Sequence, residues 1–296
     1  MKVHLVDGTY ELFRAYYGAP PRQNPKGIEV GATISFARTL MALLRQKDSS
    51  HLACAFDHVV RSFRNDLFPG YKTGEEIAPD LLQQFPLIEK VASALGIVIW
   101  PMVEFEADDA MATGVARFQK EPQVEQIVIC SPDKDLAQCV QGTRVVCLDR
   151  RREQILDEKG VFDKFGIAPD SIPDWLALVG DKADGIPGVP GWGVQSSSRI
   201  LARYGHLEEI PGRSSTWDVN VRGAHSLADN LKAHGQKVLL YRTLATLRTD
   251  VPLKETLNDL CWKGICPAQV EALAQDLGAP KLLIEAERLQ KDRLTG

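Results

Sequence analysis

The chain has 296 residues, 44% hydrophobic and 25% charged, with a formal net charge of −4, the composition of a soluble protein with room for one large domain or two ordinary ones. No apolar stretch approaches the ~18 residues of a membrane span, and the apolar part of Met1-Lys2-Val3-His4-Leu5-Val6-Asp7 is too short for a signal peptide. The reading is cytoplasmic by default, and the acidic balance excludes a uniformly positive surface without excluding nucleic acid.

Through about residue 180, strand-like and helix-like segments alternate as in βαβ units. Val3-His4-Leu5-Val6 predicts a buried strand ending at Asp7, and Gly8-Thr9 begin a helix through Tyr17 with Gly18 as its expected terminator. A loop with Pro20, Pro21, Pro25 and Gly27 follows, then helical spacing at Ile34, Ala37, Leu40, Met41 and Leu44. Leu52 to Phe56 reads as a second strand, ending at Asp57. Residues 79–95 read as one helix, stopped by Gly96 ahead of the strand Ile97-Val98-Ile99-Trp100. Asp108 and Asp109 open a helix to about Ala116, and Ile127 to Pro132 is a further strand-like run leading into Asp133 and Asp135. From Gly180 to Gly193 the chain is dense in Gly and Pro and has no period; a helix over 196–204 follows, ended by Gly205. A mainly helical region runs to about Arg248, and a tail of short strand and helices closes the chain. Short Val- and Ile-rich runs of this kind are the strands of a buried parallel sheet. The expected fold is α/β, a mainly parallel sheet flanked by helices over 1–179, joined to a helical region with a C-terminal tail over 180–296.

The six cysteines do not form a disulfide framework. Cys54, Cys130 and Cys147 lie in strand-like runs, and Cys261 and Cys266 have neither a second pair nor a nearby His for zinc, so all are read as reduced and buried.

Nine acids form the main chemical signal: Asp7, Asp57, Glu106, Asp108, Asp109, Asp133, Asp135, Asp181 and Asp184. Most follow a strand-like run, and the carboxyl ends of parallel strands are where ligands bind. Helix capping accounts for one of Asp108 and Asp109, but not for Glu106 or the acids on other strand ends. Carboxylates brought together repel one another, and few Lys or Arg interleave here, so divalent metal is the expected partner. All-oxygen ligands favour Mg²⁺, with Mn²⁺ able to substitute, over zinc or copper. Nine acids exceed the needs of one Mg²⁺; a pair about 4 Å apart is the arrangement used for in-line phosphodiester displacement.

Two further patterns bear on a substrate. The Gly185–Gly193 loop, with Gly188, Val189, Gly191 and Gly193 ahead of Gln195 and Ser196, suits a phosphate held by backbone N–H groups at a helix start. An ordinary tight turn has the same composition; the phosphate reading rests on the two acids just before it. The region from Gly185 to Asp250 carries eight Lys/Arg against five Asp/Glu. Arg61, Arg64 and Lys72 follow Asp57 at spacings that one helix could present. Arg61 reads as a solvated residue, whereas Arg64 and Lys72 lie near a metal-site acid and could hold a phosphate.

These residues resemble the 5′ nuclease family, which comprises the 5′-3′ exonuclease domain of bacterial DNA polymerase I and the flap endonucleases. The matching motifs are Leu5-Val6-Asp7-Gly8 with Phe13-Arg14-Ala15-Tyr16, Phe56-Asp57, and Ser62-Phe63-Arg64 with Tyr71-Lys72. Glu106-Ala107-Asp108-Asp109, Asp133-Lys134-Asp135-Leu136 and Gly180-Asp181-x-x-Asp184 leading into Ile186-Pro187-Gly188-Val189 complete them. The resemblance implies a PIN-like core with a helical arch, two Mg²⁺ ions, a helix-hairpin-helix element gripping duplex DNA, and a role in DNA replication or repair. It implies cleavage near a 5′ single-strand/duplex junction. By position, Asp7, Asp57, Glu106 and Asp108 would serve one ion and Asp133, Asp135, Asp181 and Asp184 the other. Asp108 would bridge them, and Asp109 would act from outside the ligand set. Arg64 and Lys72 match cations that contact the scissile phosphate, and Phe13 a ring that stacks on DNA. In some relatives the hairpin carbonyls hold K⁺.

Two departures stand out. Glu75 and Glu76 lie where polymerase-linked relatives carry a basic, proline-rich stretch, and Gly193-Val194-Gln195-Ser196-Ser197 replaces the usual Gly-Glu-Lys-Thr-Ala of the hairpin. No polymerase domain and no sliding-clamp motif is read from the sequence, so the expectation is a stand-alone monomeric nuclease acting on 5′-flap DNA, with no membrane partner. A PIN-type ribonuclease and a branched-DNA binding protein with weak turnover are the alternatives. A phosphatase of the haloacid dehalogenase type is excluded, because Asp7-Gly8-Thr9 lacks the second Asp.

Overall fold

The computed structural model describes residues 1–74 and 77–295, so the acidic pair Glu75-Glu76 lies outside the described residues. In chain order the elements begin with β1 (Lys2–Asp7), α1 (Gly8–Gly18), α2 (Gly31–Leu44), β2 (His51–Asp57), α3 (Phe63–Leu67), α4 (Pro79–Leu82) and α5 (Phe85–Ala94). There follow β3 (Val98–Met102), α6 (Ala107–Phe118), β4 (Gln126–Cys130), β5 (Val145–Asp149), β6 (Gln154–Leu156), α7 (Glu158–Phe165) and α8 (Ile172–Val179). The last are α9 (Val194–Tyr204), α10 (Ala224–Ala233), α11 (Gly235–Ala245), α12 (Pro267–Asp276) and α13 (Lys281–Thr295).

The contacts divide the chain into two compact units, but not by a single cut at 180. One unit is Met1–Val60, Gly74–Ser131 and Thr249–Gly296; the other is Arg61–Thr73 and Pro132–Arg248. The tail expected to follow the helical region instead packs its apolar side chains into the first unit.

In the first unit, β1 pairs in parallel with β2 and β4, and β2 with β3, giving the order β3-β2-β1-β4. Val3, Leu5, Val6, Leu52, Ala53, Cys54, Ala55, Phe56, Ile127 and Ile129 are almost wholly buried. Apolar side chains on both faces of a strand are the mark of a parallel sheet covered by helices. Here α6 packs on β1, β2 and β3, while α5 packs on β3. The single helix expected over 79–95 is two, α4 and α5, because Pro86 sits at the start of α5 and can supply no interior hydrogen bond. Gly18 lies within α1, and the extended Ala19 ends that helix. No strand forms in the tail among the described residues; Cys261 makes one isolated bridge to His51.

In the second unit, β5 and β6 make an antiparallel hairpin, and α8 packs against α9 and α11. Its core includes Val161, Ile172, Leu176, Ile186, Ile200, Val238 and Leu244. All six cysteines are free; Cys54, Cys130 and Cys147 are buried, whereas Cys139 and Cys261 are half-buried and Cys266 is exposed, contrary to the burial expected of all.

Candidate metal centre

The acids of the first unit sit where parallel strands end. Asp7 closes β1 and caps α1: its Oδ1 accepts the Tyr10 amide at 2.8 Å and its Oδ2 accepts the Ser131 hydroxyl at 2.9 Å. Asp57 closes β2, with its Oδ1 accepting the Ala107 amide and its own amide donating to Thr9 Oγ1, each at 2.9 Å. Glu106 and Asp109 form a reciprocal capping box on α6, in which Asp109 Oδ2 accepts the Glu106 amide at 3.0 Å. Asp109 is fully buried in that role, while Asp108 is half-buried in the first turn of the helix. Phe13 is half-buried and meets Phe85 edge-on, ring centroids 6.1 Å apart.

The second unit holds the tightest cluster. Carboxylate oxygens of Asp135, Asp181 and Asp184 lie within 4.8 Å of one another, and no other trio of His, Cys, Asp or Glu does so among the described residues. The turn between residues 181 and 186 brings two of them together. Asp181 and Ile186 exchange backbone hydrogen bonds at 2.8 and 2.7 Å, and Asp181 Oδ1 accepts the Ala183 amide at 3.0 Å. Gly185 has φ +74°, and a Cβ there would stand 2.2 Å from the Gly70 carbonyl oxygen. Glycine thus lets the 181–186 turn lie against the segment carrying Tyr71 and Lys72. Asp135 opens a short 3₁₀ turn, and its amide donates to Asp133 Oδ1 at 2.9 Å. Asp133, expected as a ligand, is itself exposed and stands outside the trio.

Asp135 Oδ1 is buried and has no hydrogen-bond partner. Burial pushes the Asp135 carboxyl well above the usual range, the neighbouring Asp133 and Asp184 raise it further, and Lys134 opposes them. An unsatisfied carboxylate oxygen beside two more carboxylates, with oxygen donors alone, fits a hard divalent cation. These residues therefore suit the metal expected from the sequence. The charge nearest to them is Lys134: its Nζ donates to Asp181 Oδ2 and lies 3.8 Å from Asp135 Oδ1.

The two cations singled out in the sequence behave differently. Lys72 has φ +30°, a left-handed conformation rarely held by a non-glycine residue and found mainly at working sites. Its amide donates to the Asp184 carbonyl at 3.2 Å and its Nζ lies 3.4 Å from Asp184 Oδ1, while the Tyr71 hydroxyl donates to Asp184 Oδ2 at 3.4 Å. Arg64 is 1% exposed: its Nε donates to the Leu244 carbonyl at 2.7 Å and its Nη2 to the Thr246 carbonyl at 3.1 Å. It holds the C-terminus of α11, where a cation complements the carbonyl end of a helix. Arg61 is exposed, and only 63–67 is helical, so the three cations do not share one helix.

In the Gly/Pro loop, Gly188 and Val189 are buried. Gly188 has φ +72°, and a Cβ would lie 2.6 Å from the Gly180 nitrogen, so this glycine packs backbone on backbone. Gly191, Gly193 and Gln195 are exposed at the start of α9, which begins at Val194 rather than Ser196. Ser196 Oγ accepts the Gly193 amide at 3.1 Å and caps the helix.

The family of 5′-3′ exonuclease N-terminal resolvase-like domains matches residues 2–166, and the 5′-3′ exonuclease C-terminal SAM fold matches residues 167–268. The chain belongs to the 5′-3′ exonuclease family. It is 30% identical over 288 residues to a 5′-3′ exonuclease of Aquifex aeolicus, covering 97% of this chain and 96% of that protein. It is 32% identical over 292 residues to DNA polymerase I of Bacillus caldotenax, covering 97% of this chain. The chain spans 32% of that polymerase. Among solved structures, the phage T5 D15 protein crystallised with metal ions superposes with a TM-score of 0.65 at 17% identity, covering 98% and 99% of the two chains. The catalytic core of Rad2 in complex with DNA substrate gives 0.63 at 15%, covering 97% and 92%. These likenesses bear out the mixed α/β fold with its mostly parallel sheet and helical C-terminal part.

Three site residues escape a reading of the acids alone. Ser131 holds Asp7, Tyr71 holds Asp184, and Lys134 holds Asp181. Tyr71 and Lys134 lie within motifs visible in the sequence, Tyr71-Lys72 and Asp133-Lys134-Asp135; Ser131 carries no such signal.

Proposed function

We propose that this chain is a Mg²⁺-dependent, structure-specific nuclease that hydrolyses DNA phosphodiesters near 5′ single-strand/duplex junctions, as a 5′-3′ exonuclease and flap endonuclease. The observation that carries the reading is the buried trio Asp135, Asp181 and Asp184 with an unsatisfied Asp135 oxygen. Family membership supports it, as do the metal ions bound by the T5 D15 protein and the DNA bound by the Rad2 core.

Asp135, Asp181 and Asp184 would hold one ion, with Asp133 beside them; Asp7, Asp57, Glu106 and Asp108 would serve a second. Bound divalent metal supplies Lewis acidity for displacement at phosphorus. The chain's own residues do the rest. Tyr71 fixes the Asp184 carboxylate, Ser131 fixes Asp7, and Asp109 fixes the backbone that carries Glu106. Lys72 offers its ammonium to the scissile phosphate, where it stabilises developing negative charge. Arg64 acts from behind, holding the segment that ends in Lys72 against α11. Phe13 offers a ring face to an unpaired base. The exposed Gly191, Gly193 and Gln195 present backbone to a DNA phosphate at the start of α9, with Gly188, Val189 and Ser196 shaping the loop. A K⁺ ion on the hairpin carbonyls would make duplex binding tighter in K⁺ than in Na⁺.

A 5′-labelled DNA flap, a matched RNA flap, and Mg²⁺ or EDTA test the reading together. Junction-proximal cleavage of DNA that EDTA abolishes, and that Asp181→Ala loses while still binding DNA, is the expected result. Preferential RNA cleavage would favour a PIN-type ribonuclease; binding without turnover would favour a branched-DNA binding protein.

A further inference from the structure

A cluster of buried carboxylates has to be held together whenever metal is absent. Three carboxylates within 4.8 Å would otherwise repel one another in a low-dielectric setting. In this chain the compensating charge comes from the start of the same 3₁₀ turn that supplies a ligand. Lys134 lies between Asp133 and Asp135, half-buried, and its ammonium donates to Asp181 Oδ2. It stands 3.8 Å from Asp135 Oδ1, the oxygen that no hydrogen bond satisfies. An ammonium bonded to one of three clustered carboxylates and facing a second is placed as a small cation would be. Lys72 supports the third carboxylate, Asp184, at 3.4 Å.

We infer that Lys134 is a tethered stand-in cation: it neutralises the Asp135–Asp181–Asp184 cluster when metal is absent and must swing away when a divalent ion enters. The inference rests on the metal reading of this cluster. Its consequence is an exchange between two cations at one site. The ammonium stabilises the metal-free protein and lowers its affinity for metal, because part of each binding event is spent displacing it. A long, flexible lysine stem suits this, since the head can move to solvent without disturbing the 3₁₀ turn behind it. Arginine at 134 would keep the charge.

The test is direct titration of the full chain with Mn²⁺ and with Mg²⁺, each alone and without DNA, by calorimetry. Lys134→Met is expected to bind about tenfold more tightly than the natural chain, since one positive charge has left a cluster of three carboxylates. Lys134→Arg should stay within about twofold of it. In EDTA, Lys134→Met should melt below the natural chain, and saturating Mn²⁺ should erase the deficit. Lys134→Gln serves as a second neutral variant of similar length. Metal affinity in both neutral variants equal to or weaker than that of the natural chain would overturn the inference and leave the metal site standing. Failure of the natural chain to bind metal, or binding unchanged by Asp181→Asn, would overturn the metal reading and this inference with it.

Discussion

Replacing Asp135 by Asn should make the metal-free protein more stable. Asp135 and its two partners lie within 4.8 Å, and each ionised pair at that distance repels by about 3 kcal/mol at an effective dielectric constant of roughly 20. Lys134, 3.8 Å from Asp135 Oδ1, returns about 4 kcal/mol on the same scale. The balance stands about 2–3 kcal/mol against an ionised Asp135, and burial of the charge adds to it. Protonation lets the carboxyl escape part of that cost, consistent with its raised pKa. Asn carries no charge at any pH, so a gain of about 1–2 kcal/mol is expected in EDTA, or roughly 2–6 °C in melting temperature. The metal response should reverse. An ion at one hundred times its dissociation constant stabilises the natural chain by about 2.7 kcal/mol, and the variant should lose most of that. Thermal unfolding followed by circular dichroism, in EDTA and in Mg²⁺, reads both effects. A variant that melts lower in EDTA and keeps the full Mg²⁺ shift would refute the reasoning.

Three further outcomes can be checked. Arg64→Met should cost about 3 kcal/mol or more in urea unfolding, since the hydrogen bonds of a buried charged donor to the Leu244 and Thr246 carbonyls are lost at about 1.5–3 kcal/mol each; unchanged stability with lost cleavage would instead put Arg64 on the phosphate. Lys72→Ala should lower kcat on a DNA flap by about 10²- to 10³-fold with an unchanged melting temperature in EDTA, and an undiminished kcat would remove Lys72 from the chemistry. His206 hydrogen-bonds at 2.8 Å to the buried Asp174, which with the nearby Asp170 and Glu208 carboxylates raises its pKa above 6.5 against the pull of burial. Its folded pKa exceeds the unfolded one, so its stabilisation is complete below pH 6.5 and fades as pH rises through the folded value. His206→Gln should therefore lie below the natural chain in melting temperature at pH 6 and converge with it by pH 8; parallel curves would sink the argument.

Much of the first unit was legible because β1 and β2 announce themselves as apolar runs ended by acid; the run read over 127–132 became β4, which stops at Cys130. Those signals are local. Helix boundaries were legible at Gly96 and Gly205, glycines with positive φ, and failed at 83–84, where the break comes from Pro86 and from Gln84 turning inward to accept Thr33 at 3.0 Å. The direction of a charged side chain was not legible. Arg64 and Lys72 stand in one motif, yet the carbonyls that bury Arg64 come from residues 180 and 182 positions away. Asp133 belongs by spacing with Asp135, but a 3₁₀ turn begins between them and Asp133 remains exposed. The partner of Lys134 was not legible either, because Asp181, to which its ammonium donates, lies 47 residues further along the chain. The tail escaped as well, since nothing in its composition says which core receives it.

That tail has a consequence for how the protein is made. Leu282, Ala286 and Leu289 of α13 are 5% exposed or less, α13 packs on α2, and the Leu52 amide in β2 donates to the Leu260 carbonyl at 2.9 Å. The earliest strands thus wait for some of the latest helices. During synthesis the apolar flank of α2 stays uncovered until α13 has emerged, so folding of this unit is slow in onset and tied to completion of that helix. A fragment covering 1–179 would keep every acid of β1, β2 and α6, but it would present an open hydrophobic wall instead of a covered core.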